Sequence, residues 1–176
     1  LNCQSSPGPT PEPCGTCDSC LRTGQPDWMD VVEVDAASSA RRIDEMREWL
    51  ETVRYAPVVC RYRVTIMDEA HQIQDQAASA LLKTLEEPPP HLVVILCTTH
   101  PWDILPTIRS RLQQYVLRKP GLGSLVKVLE RVARAEGIEA SESALDILAR
   151  AADGSYRDAL GLLDQIATYT DGRVHA

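Results

Sequence analysis

Apolar residues along this chain follow two rhythms, and the change between them falls near residue 120. In the first part, short apolar runs alternate with stretches in which apolar residues recur every three or four positions. The runs predict β-strands at 31–34, around 64–67 and at 92–97. Between them, Ile43, Met46, Leu50 and Val53 share one face of a helix predicted over 40–54. Ala78, Leu81, Leu82 and Leu85 share one face of a second helix over 75–87. The three consecutive prolines at 88–90 stop that helix, because proline cannot donate to it and restricts the residue before it. The run LVVILC at 92–97 lacks polar alternation, the pattern expected of a strand covered on both faces of a parallel sheet. Strands alternating with helices predict an α/β fold with a parallel sheet.

Beyond Lys119-Pro-Gly121 the period is helical throughout, with stretches at 122–136, 141–152 and 155–169 separated by Gly137 and Gly154. Ser141 stands where an N-cap is needed. The expected division is therefore an α/β unit over 1–119 and a small all-α unit over 120–176. Residues 1–26 differ from both, forming a Pro-, Gly- and Ser-rich loop around cysteines.

Composition adds limits. The chain has 176 residues, 44% of them hydrophobic, and no Phe, so Leu, Ile, Val and Ala must fill the core with Trp28, Trp49 and Trp102 as the bulky exceptions. A net charge of −7 argues against a free-standing nucleic-acid binder, though not against DNA contact within an assembly. No apolar run is long enough to span a membrane, and no basic segment leads into a signal core, so a cytoplasmic protein is expected. The opening Leu1-Asn-Cys3 is unlike a natural domain start. A fragment or an alternative start codon is expected.

Cys14, Cys17 and Cys20 form C-x₂-C-x₂-C, with Cys3 eleven residues upstream of Cys14. Such spacing lets a tight turn aim thiolates at one tetrahedral ion, and Cys3 completes a Cys₄ structural zinc site. A disulfide cluster is the competing reading, disfavoured because nothing points to secretion. Cys60 and Cys97 lie in or beside apolar runs and read as core residues.

The strand at 64–67 ends in two adjacent carboxylates, Asp68 and Glu69, followed by Ala70 and His71. In ATPases of the P-loop type, one such carboxylate serves a nucleotide-bound Mg²⁺ and the next the attacking water. The same letters occur in helicases, and a strand end that merely meets solvent is a third reading. The chain contains no G-x-x-x-x-G-K-[ST], the loop that cradles the triphosphate. The run from Ala80 through Leu85 and Glu87 to Pro89 decides among these readings. With Asp35-Ala-Ala-Ser38, Thr98-Thr99-x-Pro101, Ser110-Arg111 and Gly154-Ser-x-Arg157-Asp-Ala-Leu160, it resembles the gamma/tau family of clamp-loader ATPases from bacterial DNA polymerase III, in that family's order and over essentially the whole chain.

The resemblance implies a truncated AAA+ core of the P-loop NTPase kind, with an inserted zinc module, followed by a helical lid. It implies Asp68 at Mg²⁺, Glu69 at the attacking water, and Thr99 as a sensor near the γ-phosphate, although a capping hydroxyl remains a second reading of Thr99. Arg111 resembles an arginine finger directed at a neighbouring subunit's ATP, a task suited to a permanently charged planar fork. Arg109 stands beside it as a spectator or ion-pair partner. Arg157 resembles a second sensor on the lid. The family reads Ser-Arg-Cys where this chain has Ser110-Arg111-Leu112.

The implied partners are other clamp-loader subunits in a ring, the sliding clamp, and primer–template DNA. The nucleotidyltransferase chemistry of the holoenzyme belongs to another subunit. Without the phosphate loop, charge-assisted contacts each worth roughly 1.5–3 kcal/mol are missing, so the chain as written is expected to show little ATP binding or hydrolysis. The alternative is a non-hydrolysing scaffold that donates its arginine to a neighbour.

Overall fold

The computed structural model describes residues 1–25, 28–37, 49–73 and 75–175, which divide into two compact units, Leu1–Gln114 and Tyr115–Ala176. In the first, a short helix α1 (Asp18–Arg22) follows the cysteine loop. The sheet comprises β1 (Val31–Asp35), β2 (Arg63–Asp68) and β3 (Leu92–Leu96), in the order β1-β2-β3. Both pairings are parallel, with Asp35 opposite Asp68 and Met67 opposite Leu96. Helix α2 (Asp75–Glu86) joins β2 to β3, and a short α3 (Pro106–Arg109) follows.

β2 is central, and Val64, Thr65 and Met67 are buried along it. Trp49, Val53, Leu81, Ile104 and Ile108 pack around Met67. Thr65 is tolerated in that core because its hydroxyl accepts a hydrogen bond from Trp49 Nε1 at 2.7 Å. Of the helix expected over 40–54, the described residues 49–52 are helical, whereas Ile43 and Met46, like Ser38, lie outside the described residues. α2 ends at Glu86, two residues before Pro88.

Three expectations of burial fail. β3 is an edge strand of the described sheet, and Ile95 on it is 41% exposed, so one of its faces is not fully covered. An apolar run fixes the strand but not its neighbours. Cys97, just past β3, is exposed rather than part of the core. Trp102 is 78% exposed, its ring covered by the Arg109 guanidinium 4.7 Å from its centroid.

One buried carboxylate ties this unit together. Asp30, just before β1, accepts hydrogen bonds from the backbone N–H groups of Val58, Val59 and Cys60 at 2.8, 2.8 and 2.9 Å. Arg63 Nη2 stands 3.9 Å away. The loop that enters β2 is thereby held to the residue that enters β1. Burial acts to raise the Asp30 pKa, but the three N–H donors and Arg63 outweigh it and hold the carboxyl below its ordinary value.

The second unit packs α4 (Leu122–Glu136), α5 (Glu142–Ala151) and α6 (Tyr156–Tyr169) around Leu125, Leu129, Leu145, Leu148 and Leu163. Ser141 caps α5 by accepting from the Ala144 N–H, as expected, and Ser155 caps α6 through Asp158. The unit is not purely helical, since β4 (Glu139–Ala140) and β5 (Arg173–Val174) form a two-residue parallel ladder. Gly154 has φ +83°, and a Cβ there would lie 3.1 Å from Lys119 Cδ, so both backbone and space call for glycine. Among the described residues no helix is long and apolar enough to cross a membrane.

Removing the buried Asp30 carboxylate takes the acceptor from three loop N–H groups and the partner from Arg63, so Asp30→Ala is expected to cost about 2–3 kcal/mol in urea unfolding. All three tryptophans lie in this unit, so their fluorescence follows its unfolding. A carboxyl with a depressed folded pKa contributes fully above its unfolded value, about 3.9, and loses that contribution as pH falls through the folded value. The wild-type urea midpoint should therefore drop more steeply below about pH 4 than that of Asp30→Asn.

Candidate functional site

Because the three strands are parallel, their carboxyl ends lie along one edge of the sheet, the edge where open α/β sheets hold ligands. Asp68 closes β2 there, exposed, with Oδ1 accepting the Glu69 N–H at 2.9 Å. Its backbone is gripped on one side by the Ala36 N–H, which donates to Asp68 O at 3.0 Å. The next turn is locked to β3, where the Ala70 N–H donates to Cys97 O at 2.9 Å. Between these anchors Glu69 adopts φ 47° and ψ 43°, a left-handed conformation uncommon for a residue with a Cβ. That turn breaks the strand and redirects the glutamate side chain.

Glu69 Oε2 is buried and has no hydrogen-bond partner of good geometry, but it lies 3.3 Å from His71 Nδ1. The same nitrogen is 3.0 Å from Thr98 Oγ1. Two oxygens, one of them a carboxylate, around a single ring nitrogen favour the tautomer with the proton on Nδ1. Thr98 Oγ1 also accepts from the His100 N–H at 2.9 Å, and Thr99 Oγ1 meets His100 Nδ1 at 2.8 Å. The His71 and His100 rings are 4.8 Å apart. Glu69 and Thr99 thus stand at the two ends of one chain of polar contacts, with Asp68 adjoining it. Sequence reasoning gave roles to Asp68, Glu69 and Thr99, quoted His71 and Thr98 only as members of their motifs, and did not single out His100. The signal for these three was polar residues clustered at two neighbouring strand ends.

Arg111 lies apart from that chain. Its Nη2 donates to Glu86 Oε1 at 2.8 Å and its Nη1 to Thr107 O at 2.7 Å. Glu86 was not foreseen as its partner. Arg157, in the first turn of α6, is exposed in the second unit.

The four cysteines converge as expected, their Sγ atoms all within 4.8 Å of one another and all free thiols. Four sulfurs about 2.3 Å from a tetrahedral ion would be about 3.8 Å apart, so this donor set fits a metal such as zinc after a small contraction. The local backbone already serves thiolates. Ser5 Oγ donates to Cys14 Sγ at 3.2 Å, joined by the N–H groups of Cys17 at 3.3 Å and Thr16 at 3.4 Å. Together these donors, the Ser5 hydroxyl foremost, pull the Cys14 thiol down to about 5. The Gln4 N–H leads in lowering Cys17. At Cys20 the Gly15 N–H also pulls down, but the Cys17 thiol, burial and the other two sulfurs together push it up to about 11. The cluster therefore favours negative sulfur yet resists a full set of unscreened thiolates, a conflict that a cation resolves.

Arg61 fastens this loop to the sheet by donating to Cys3 O at 2.8 Å and to Ser6 O. Asn2 and Tyr62 exchange a pair of hydrogen bonds at 2.9 and 3.0 Å.

Residues 1–121 match the family described as DNA polymerase III, delta subunit, and residues 124–172 the clamp loader subunit's ATPase lid domain. The chain belongs to the clamp-loader subunits of DNA polymerase III. It is 45% identical over 168 residues to the gamma/tau subunit of Mycobacterium tuberculosis H37Rv, a match covering 94% of this chain and 28% of that protein. It is 42% identical over 174 residues to the tau subunit of Escherichia coli K12, covering 99% of this chain and 27% of the relative. The chain thus spans under a third of the length of these relatives. Thermotoga maritima RuvB, a Holliday junction branch migration motor, shares the fold with a TM-score of 0.67 at 17% identity, over 82% of this chain and 49% of RuvB. The fold is accordingly that of an AAA+ core with its lid, and the family resemblance of the carboxylate strand and the LLKTLEEPP run holds.

In reduced, metal-free protein the thiol order is open to measurement. Cys14 is largely thiolate above about pH 5 and Cys20 largely thiol below about pH 11. Iodoacetamide at pH 7 should therefore modify Cys14 well before Cys20, as read by mass spectrometry of partial digests.

Proposed function

We propose that this chain is the nucleotide-responsive part of a clamp-loader subunit, which couples ATP binding and hydrolysis to placing a sliding clamp on primer–template DNA. In this reading it works in a bacterial cytoplasmic ring with other clamp-loader subunits. The observation that carries the proposal is the meeting of Asp68, Glu69 and Thr99 at one edge of a parallel sheet in a chain of this family.

Each residue has a chemistry suited to its role. Asp68 would hold Mg²⁺ through its water shell, since one of its oxygens is engaged by the Glu69 N–H and the side chain is otherwise exposed. The ion would supply charge neutralisation at the phosphates. Glu69 orients or deprotonates the attacking water, and Thr99 senses the γ-phosphate. Arg111 acts on a neighbour's ATP, and Arg157 reports nucleotide to the lid. Cys3, Cys14, Cys17 and Cys20 hold a structural zinc ion. These 176 residues contain no G-x-x-x-x-G-K-[ST], so the isolated chain should show little or no ATPase activity.

The test uses the full-length subunit assembled with its ring partners. Glu69→Gln is expected to lower DNA-stimulated ATP turnover by roughly 10²-fold or more, and Arg111→Ala by about 10³-fold. Loss with Arg111→Ala alone would favour the scaffold reading, and unchanged turnover in both variants would reject the proposal. Elemental analysis should find one zinc per chain; no metal together with four freely alkylated thiols would reject the zinc assignment.

A further inference from the structure

His71 belongs to none of the roles above, yet its ring nitrogen lies between polar side chains from both strand ends. Its side chain is only 16% exposed, and Nδ1 faces Glu69 Oε2 at 3.3 Å and Thr98 Oγ1 at 3.0 Å. The Glu69 side chain keeps 36% exposure although Oε2 is buried and lacks a well-aligned hydrogen-bond partner. A carboxylate that must meet a water needs one oxygen anchored and the other free, because a loose side chain spreads its acceptor over many positions. A left-handed backbone at Glu69 directs the side chain but leaves its rotamers unfixed. His71 Nδ1, 3.3 Å from Oε2, is the ring nitrogen placed to act as that anchor.

We propose that His71 is a positioning residue that fixes Glu69 Oε2 through Nδ1–H, leaves Oε1 for the water, and ties that carboxylate through Thr98 and His100 to Thr99. The inference rests on the reading of Glu69 as the group that handles the attacking water. Thr98 is the branch point, since Oγ1 meets His71 Nδ1 and also accepts the His100 N–H at 2.9 Å. His100 in turn meets Thr99 Oγ1 at 2.8 Å. A ligand that engages the Thr99 hydroxyl therefore acts on His100, and through Thr98 on the donor that holds Glu69.

Asparagine can place an amide N–H near the position of Nδ1, whereas alanine cannot. In the full-length subunit within its ring, His71→Ala should lower kcat for ATP hydrolysis roughly 10–100-fold while KM changes less than about twofold. His71→Asn should recover most of the lost kcat. Thermal unfolding of both variants is followed alongside, so that a fold defect in His71→Ala leaves His71→Asn as the deciding variant. Glu69→Gln separates the two levels of the argument. If it abolishes turnover while His71→Ala, or a folded His71→Asn compared with a folded aliphatic His71→Leu, shows no dependence on the donor, the positioning role is wrong and the reading of Glu69 survives. If Glu69→Gln leaves turnover unchanged, both fail. A kcat loss that asparagine does not relieve also overturns the proposal.

Discussion

Parallel pairing of β1, β2 and β3 requires every connection between them to return to the opposite edge of the sheet, so all three strands finish on the same side. Asp35, Asp68 and the residues after Leu96 are brought there by register, before any side chain has made a contact of its own. The carboxylate of Asp68 can remain exposed because its backbone is held independently, by Ala36 on one flank and by the Ala70–Cys97 bond beyond it. This separates two tasks that conflict elsewhere in proteins. The backbone supplies rigidity, and the side chains at the edge stay available for chemistry. The left-handed residue Glu69 is where the two meet, since its uncommon conformation is sustained only by the pairing on both sides.

The amino-terminal loop depends on the same sheet from the other end. Arg61, Tyr62 and Arg63 are consecutive, and they reach respectively the carbonyls of the cysteine loop, the Asn2 side chain and Asp30. The start of β2 is thus anchored to the cysteine module on one side and to the entry of β1 on the other. A loop rich in Pro, Gly and Ser has little apolar surface with which to fix itself. It gains order here from sulfur-directed N–H groups inside and from Arg61 outside. Placement of a metal within the four sulfurs would add to that order without touching the carboxylate edge, which lies at the opposite end of β2.

The parts of this architecture that sequence made legible are those governed by period and by local stereochemistry. The helices of the second unit match their expected limits within a residue or so, because their apolar faces and the caps at Ser141 and Ser155 carry the same message. The prolines after Glu87 ended α2 where proline must. Convergence of the four cysteines followed from spacing alone. What was illegible depends on neighbours distant in sequence. The run at β3 cannot state what packs over each of its faces, so the exposure of Ile95 and Cys97 was hidden. Trp102 read as core, since no pattern announces that an arginine seven residues later covers its ring instead. His71 and His100 are twenty-nine positions apart in the chain and adjacent only because β2 and β3 pair. The edge residues were recognised one by one through family resemblance; their wiring to one another was a property of the sheet.

The pairing of Arg111 with Glu86 raises the question of whether such a contact hinders the finger role proposed for that arginine. Side-chain exposures of 36% and 46% leave the pair largely in water, where such bridges contribute about 0–1 kcal/mol. A guanidinium bound to phosphate oxygens in a drier interface gains more, about 1.5–3 kcal/mol for each charge-assisted hydrogen bond. In the proposed role the exchange would therefore run toward phosphate when a neighbour presented one, and back toward Glu86 when it did not. Glu86 then limits the range of an otherwise mobile side chain without holding it firmly. The bond from Nη1 to Thr107 O adds a second restraint. A finger restrained weakly at two points begins closer to a productive geometry than a free one, and surrenders little to leave it.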